Sequence, residues 1–356
     1  MKTKSFINDT HNQHFISQAE QRLNSCSIDS QPENAEIFCF DILDKESSKI
    51  KFSGERSIKR NMSFRDLFTL SRIGDKDRIN FERLFRKYED GYPAEVAGLL
   101  ELTGKVKGLA TASSVEEGID LKKIPPENFS KFLGHVKYIY TYKLMNWLRN
   151  PYKIKDVLRT FSLYIDHSLD KPGALELYFA LTEKNEGEEQ YICKTFGVSP
   201  KEYRQWIRLL LLFLYSENEE PSSLEGFAEE FFKAPEFTST ILLYEFDERC
   251  ALLTDTGVVR DSLPEGIATY MNVTKNVILL LQHTKVDGKH VDAIVKQYDL
   301  SPEQRAALVK TLQKSISARL YLNYNEILGG YNKICVKAAV KQVFSASKVV
   351  EGVTVL

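Results

Sequence analysis

The stretch SPEQRAALVKTLQKSISARLYLNYNEIL, residues 301–328, decides the fold class. Its apolar residues recur at helical period, as they do in HVDAIVKQYDL just before it, and the Gly329-Gly330 pair supplies a stop. Read this way, the C-terminal part of the chain is helical. Upstream, TSTILLYEF, CALLTDTGVV, IATYMNV and KNVILLLQH (within 238–283) are short β-rich runs separated by turn residues, the pattern of an antiparallel meander.

The long middle of the chain is helical in period from Asp77 to Lys233. Phe129, Phe132, Leu133, Val136, Tyr140, Leu144 and Trp147 form one stripe, and Ile154, Val157, Leu158, Phe161 and Ile165 a second. Ser199 as N-cap and Pro200 at the first helical position open a third helix. The N-terminal segment differs. EIFCFDIL (36–43) and the alternating SSKIKFSGE (47–55), joined by the polar DKESS, predict a β-hairpin. A short helix is expected from Ser63 through FRDLFTL.

These readings give an α+β, predominantly helical fold. An N-terminal hairpin and helix segment (1–75) precedes a central helical body (76–235), a small antiparallel β-meander (236–288) and C-terminal helices (289–356), together one compact unit.

Composition sets the limits on function. With 43% hydrophobic residues, 21 Phe and 17 Tyr in 356 residues, the chain is long and apolar enough to bury a large core. A net charge of −1 gives no global electrostatic case for nucleic acid and leaves only local patches. Five scattered cysteines fit reduced thiols, and MKTKSFINDT lacks an apolar signal core. The longest apolar run, Leu209 to Tyr215, is far short of the roughly 20 residues of a membrane span. A soluble, cytoplasmic protein without a membrane partner is expected.

Several motifs are missing: the dinucleotide Gly fingerprint, the phosphate loop, His-Glu-x-x-His, Cys-x-x-Cys and Gly-x-Ser-x-Gly. No nucleotide cofactor is therefore expected. Asp255-Thr256-Gly257 matches one half of an aspartic protease site, but the helical period after residue 289 argues against such an all-β enzyme, and the triplet is equally good turn chemistry. His11, His14, Cys26 and Cys39 are all zinc-ligand types, yet the two cysteines are thirteen apart, against the usual close pairing.

His14 carries the sharper reading. In ββα-metal (HNH-like) nucleases a His activates the nucleophile while a divalent ion stabilises the leaving oxygen. Here His14 precedes a polar loop, a strand with Asp41, a second strand and a short helix near Asn61 and Asp66. The plain alternative is that His14 caps or packs an N-terminal helix, SQAEQRLNS. Lys49, Lys51, Arg56, Lys59 and Arg60 cluster nearby and suit phosphate contacts, though they also suit a charged hairpin edge.

QHFISQ followed by EIFCFDI resembles the opening of a bacterial domain-of-unknown-function family that begins His-aromatic-Ile-Pro-Gln. The strand-Asp-turn-strand run around Asp255 and the Glu-rich helix FERLFRKYEDGYPAEVAGLLE are similar to later elements of that family. Ser17 stands where the family has Pro, and Gln21 and Asn24 replace an apolar pair. The resemblance implies a defence-type setting and carries His14 and Asp255 over as site residues.

The combined expectation is a defence effector acting as a metal-dependent nuclease on DNA or RNA. His14 is the base, Asp255 a second catalytic residue, and Asp41 and Asn61 the ligands of Mg²⁺ or Mn²⁺. The rival is a non-catalytic module that binds a partner protein or a second copy of itself in a defence or toxin–antitoxin complex.

Overall fold

The computed structural model describes residues 6–8, 10–27, 34–73, 77–108, 117–180, 186–217, 220–313 and 315–356. Its elements begin with β1 (Asn12–His14), α1 (Gln18–Leu23), β2 (Glu36–Asp44), β3 (Lys49–Ser57), β4 (Ser63–Arg65), β5 (Thr69–Ile73) and β6 (Asp77–Asn80). Next come α2 (Glu82–Glu89), α3 (Tyr92–Lys107), β7 (Ile119–Asp120), α4 (Pro126–Leu148), α5 (Ile154–Thr160), α6 (Pro172–Ala180), α7 (Glu186–Phe196), α8 (Pro200–Leu214) and α9 (Ser223–Lys233). The chain continues through β8 (Phe237–Glu245), β9 (Leu253–Thr254), β10 (Val259–Leu263), β11 (Gly266–Thr274) and β12 (Val277–Lys285). It finishes with α10 (Lys289–Tyr298), α11 (Pro302–Leu312), β13 (Ile316–Leu322), α12 (Asn325–Ala338), β14 (Gln342–Ser345) and β15 (Thr354–Val355).

The stretch 301–328 is therefore helix, strand and the start of a second helix. Leu312, Ile316 and Leu320 are four apart, which imitates a helical stripe, while Ile316, Ala318, Leu320 and Leu322 alternate as a strand. Tertiary pairing decides between them. β13 lies parallel to β8, from Ile316 opposite Ser239 to Leu322 opposite Glu245, and buries Ala318 and Leu320. The Gly329-Gly330 pair lies inside α12 and does not end it. Gly329 instead allows a close approach: a Cβ on Gly352, whose φ is +76°, would sit 2.4 Å from the Gly329 Cα.

The predominantly helical class with one small meander is thus corrected to a mixed fold, 48% helical and 24% strand. A six-stranded sheet has the order β10-β11-β12-β8-β13-β7 and a five-stranded sheet the order β15-β3-β2-β14-β9, and β1-β4 and β5-β6 are separate pairs. The expected meander is present in β8 and β10–β12, but CALLTDTGVV splits. β9 joins the five-stranded sheet, β10 joins the six-stranded one, and the Asp255 turn crosses between them. The helix expected from Ser63 is also corrected. Ser63–Arg65 is β4, bracketed by left-handed Met62 (φ 48°) and Asp66 (φ 59°), and it pairs with β1.

Other expectations hold. β2 and β3 form the hairpin, in register from Glu36–Ser57 to Asp44–Lys49. α8 opens with a full capping box between Ser199 and Glu202.

The six-stranded sheet separates two cores. Ile241, Leu243, Leu279 and Leu281 face the helical layer of α3, α4, α8 and α9, while Tyr244, Ile278 and Leu280 face α12 and the five-stranded sheet. Burial on both faces explains why VILLL reads as a continuous apolar run. Between Ile139 and Leu148 every residue of α4 is buried, polar ones included. That last feature positions the site.

Candidate functional site: a cleft over a buried charge network

A cleft of about 630 Å³ opens where the end of β1 and one side of α1 face α2. Short-range chemistry fixes its walls. Ser17 caps α1 by accepting from Glu20 N at 3.2 Å, and its hydroxyl also bonds the Tyr142 hydroxyl, which a Pro at this position could not do. The Gln21 amide donates to Ile16 O (2.8 Å) and Asn61 O (3.2 Å) and accepts from Asn61 Nδ2 (3.1 Å). These bonds tie α1 to the turn before β4. Phe15 N completes the join by donating to Met62 O at 3.0 Å.

His14 therefore sits on a rigid element with its ring on the cleft wall. Its Nε2 lies 3.2 Å from Ile58 O. Burial lowers its pKa to about 4, with Arg149 and Arg22 lowering it further and Glu89 and the Ile58 bond opposing them. The ring is neutral near pH 7, donates through Nε2–H, and keeps a lone pair on Nδ1.

Glu82, the first residue of α2, lines the same cleft. Burial raises its carboxyl pKa to about 7, Glu89 adds to the rise, and Arg149 and Arg86 oppose it. Its Oε1 is buried without a hydrogen-bond partner. Such a carboxyl holds a proton close to neutrality, and one of its oxygens has no partner in the fold. Arg86 and Asp90 are exposed on the rim, as is Arg22, whose Nη2 donates to Gln18 Oε1 at 2.8 Å.

Beneath the cleft runs a chain of buried charges. Glu20 accepts from Lys143 Nζ and, at 2.5 Å, from Asn146 Nδ2. Asn146 Oδ1 accepts from Arg149 Nη2 at 2.7 Å, and the same Nη2 lies 2.6 Å from Glu89 Oε1. The Arg149 guanidinium also stacks over Phe85, 4.6 Å from the ring centre. Two carboxylates thus balance two cations in a layer where Glu20, Lys143, Asn146 and Arg149 are at most 1% exposed.

The other residues singled out from the sequence lie elsewhere. Asp41 accepts from Gln342 Nε2 at 2.5 Å within the five-stranded sheet. Asn61 is buried against Gln21 and serves the α1 anchor. Asp255 accepts from the backbone N–H groups of Val340 (2.8 Å), Lys341 (2.6 Å) and Gln342 (3.0 Å), so it ties the turn between the sheets to the start of β14. None of the three lines the cleft.

The basic residues Lys49, Lys51, Arg56, Lys59 and Arg60 are exposed along β3 and the turn after it, and Arg56 donates to Gln342 Oε1 at 3.0 Å. Lys59 and Arg60 directly follow Ile58, whose carbonyl holds His14. His11 is exposed, and Cys39 is buried on β2. Among the described residues no group of three or more His, Cys, Asp and Glu side chains is arranged to hold a metal ion.

Glu82, Glu89 and Arg149 were missed by sequence reasoning. The available signal was Lys143, Asn146 and Arg149, spaced three apart, set into an otherwise apolar helix end. No protein-family model, curated protein or solved structure matches the chain. Among the described residues no helix is long and apolar enough to cross a membrane.

Proposed function

We propose that the cleft is the active centre of a phosphodiester-cleaving enzyme, with His14 as general base, Glu82 as general acid and the Arg22–Arg86 rim as the phosphate contact. The observation that carries this reading is that a neutral imidazole and a carboxyl that burial keeps protonated up to about pH 7 line one cleft. Groups pushed apart in pKa by their surroundings divide into base and acid. Glu89 and Arg149 position the pair from below: Arg149 is 1% exposed and acts through its field.

In this reading the defence-type role is that of an effector that cuts nucleic acid. Lys59 and Arg60 extend the track for the strand beyond the rim. Asp41, Asn61 and Asp255 keep structural roles, and Mg²⁺ and Mn²⁺ enter as variables of the assay. A protein-interaction role has its own support in the α10–α11 hairpin: no described residue of α11 is buried, and Tyr298 on α10 is 66% exposed.

The test is cleavage of single-stranded RNA, single-stranded DNA and plasmid by purified protein, with EDTA or with added Mg²⁺ or Mn²⁺. His14→Ala and Glu82→Gln are each expected to lose activity by about 10²–10⁴-fold while remaining folded. Absence of cleavage of every substrate, or unchanged rates in both variants, sinks the proposal.

A further inference from the structure

The cleft supplies a base, an acid and cations, but no free hydroxyl or thiol to attack phosphorus. Thr10 is its one hydroxyl-bearing side chain among the described residues, and Thr10 Oγ1 already donates to Asn8 Oδ1 at 2.6 Å. No cysteine lines it. The attacking group must therefore arrive with the substrate or be water.

Magnitudes decide between these. A positioned base and a positioned acid each contribute about 10²–10⁴-fold. An internal nucleophile held beside its target adds an effective molarity of roughly 10⁵–10⁸ M. RNA brings such a nucleophile, the 2′-hydroxyl next to each phosphate. DNA does not, and a water bound at the His14 imidazole would attack without that effective molarity.

Resting on the acid–base reading above, we infer that the substrate is RNA and that the ribose 2′-hydroxyl is the nucleophile. His14 Nδ1 takes the proton from O2′, the O2′–P bond forms, and the P–O5′ bond breaks. The Glu82 carboxyl gives its proton to O5′. One product ends in a 2′,3′-cyclic phosphate and the other begins with a 5′-hydroxyl. Imidazolium and carboxylate then return to their starting states by proton exchange with water.

The charge at the rim suits one phosphate. Arg149 and Glu89 cancel, and Arg22 and Arg86 outweigh Asp90 while Glu82 is protonated. Among the described residues Arg86 makes no ion pair, so its guanidinium reaches an incoming anion without first breaking one.

The test uses the full wild-type chain and a DNA oligonucleotide with a single ribonucleotide, beside all-RNA and all-DNA strands of the same sequence. Cutting only 3′ of the ribonucleotide is expected, at least about 10³-fold faster than at any deoxynucleotide, with a cyclic phosphate found by mass spectrometry. Equal cutting at deoxynucleotides, or 5′-phosphate products, overturns the RNA inference and leaves the acid–base site standing. Failure to cut any of the three strands overturns the inference together with the reading on which it rests.

Discussion

Glu82 in the cleft and Asp255 in the corner between the large sheets are both carboxyls whose pKa burial raises, and the protein satisfies them differently. Asp255 is surrounded by donors: burial pushes its pKa up while the N–H groups of Val340, Lys341 and Gln342 pull it down. Glu82 has an oxygen with no donor, and a carboxylate neighbour, Glu89, that raises its pKa further. A satisfied carboxylate holds the fold. An unsatisfied one on an open cleft is a reservoir for a proton. Two histidines, His14 and His283, repeat the lesson. Both are lowered to about 4 by burial, but His283 lies between Phe231 and Phe232 and lines no described cleft. A shifted pKa becomes chemistry only where a substrate can enter.

The comparison is most sharply tested by exchanging the two carboxyls. Glu82→Gln is expected to abolish nearly all cleavage, by about 10²–10⁴-fold, yet to make the protein more stable at pH 8. Glu82 binds its proton more tightly in the folded than in the unfolded chain, with values of about 7 and 4.5. Its contribution is therefore complete below about pH 4.5 and lost as pH rises through 7, a span worth roughly 3 kcal/mol, which a permanently neutral Gln does not lose. Urea midpoints at pH 5 and pH 8 check this, and a Gln variant less stable than wild type at pH 8 breaks the contrast.

Asp255→Ala should do the reverse. It leaves three backbone N–H groups without their acceptor and costs about 3 kcal/mol, read in the same urea titration. Turnover per folded molecule is unchanged. A selective loss of turnover would return Asp255 to the catalytic machinery.

Arg149→Met strands Glu89 and costs about 3 kcal/mol as well. Because Arg149 lowers the pKa of both His14 and Glu82, its removal also moves both limbs of the pH–rate profile to higher pH. In the wild type those limbs lie near 4 and 7, so activity is expected to peak at mildly acidic pH and fall above 7 as Glu82 loses its proton. A profile that keeps rising past pH 8 would count against Glu82 as the acid. The smallest effect is predicted for His283→Phe: within about 1 kcal/mol in stability, since one bond to Ser239 Oγ is lost and one orphan nitrogen removed, with cleavage unaffected.

Much of the local structure was legible. The β2–β3 hairpin follows from alternation and a polar turn, and α8 from Ser199, Pro200 and Glu202. Where periods coincide, legibility ends. Leu312, Ile316 and Leu320 satisfy a helix, and β13 forms because β8 offers an open parallel edge. Of the site, the sequence singled out His14 and the basic residues after Ile58, since their types and order are visible. It did not single out Lys143 or Arg149, because a charged residue on a striped helix reads as solvent-facing. α4 defeats that rule by being buried on every side at its C-terminal end.

By itself, then, the sequence determined which segments prefer strand or helix and how α1, α8, α9 and α11 are capped. Those features are local, set by neighbours within a few residues. Only the tertiary structure decided the sheet partners of β9 and β13 and the burial of Lys143 and Arg149. It also decided which of the carboxyls would be left without a donor. Each of those depends on groups far apart in the chain, and the energy of a buried charge is fixed by what surrounds it in space.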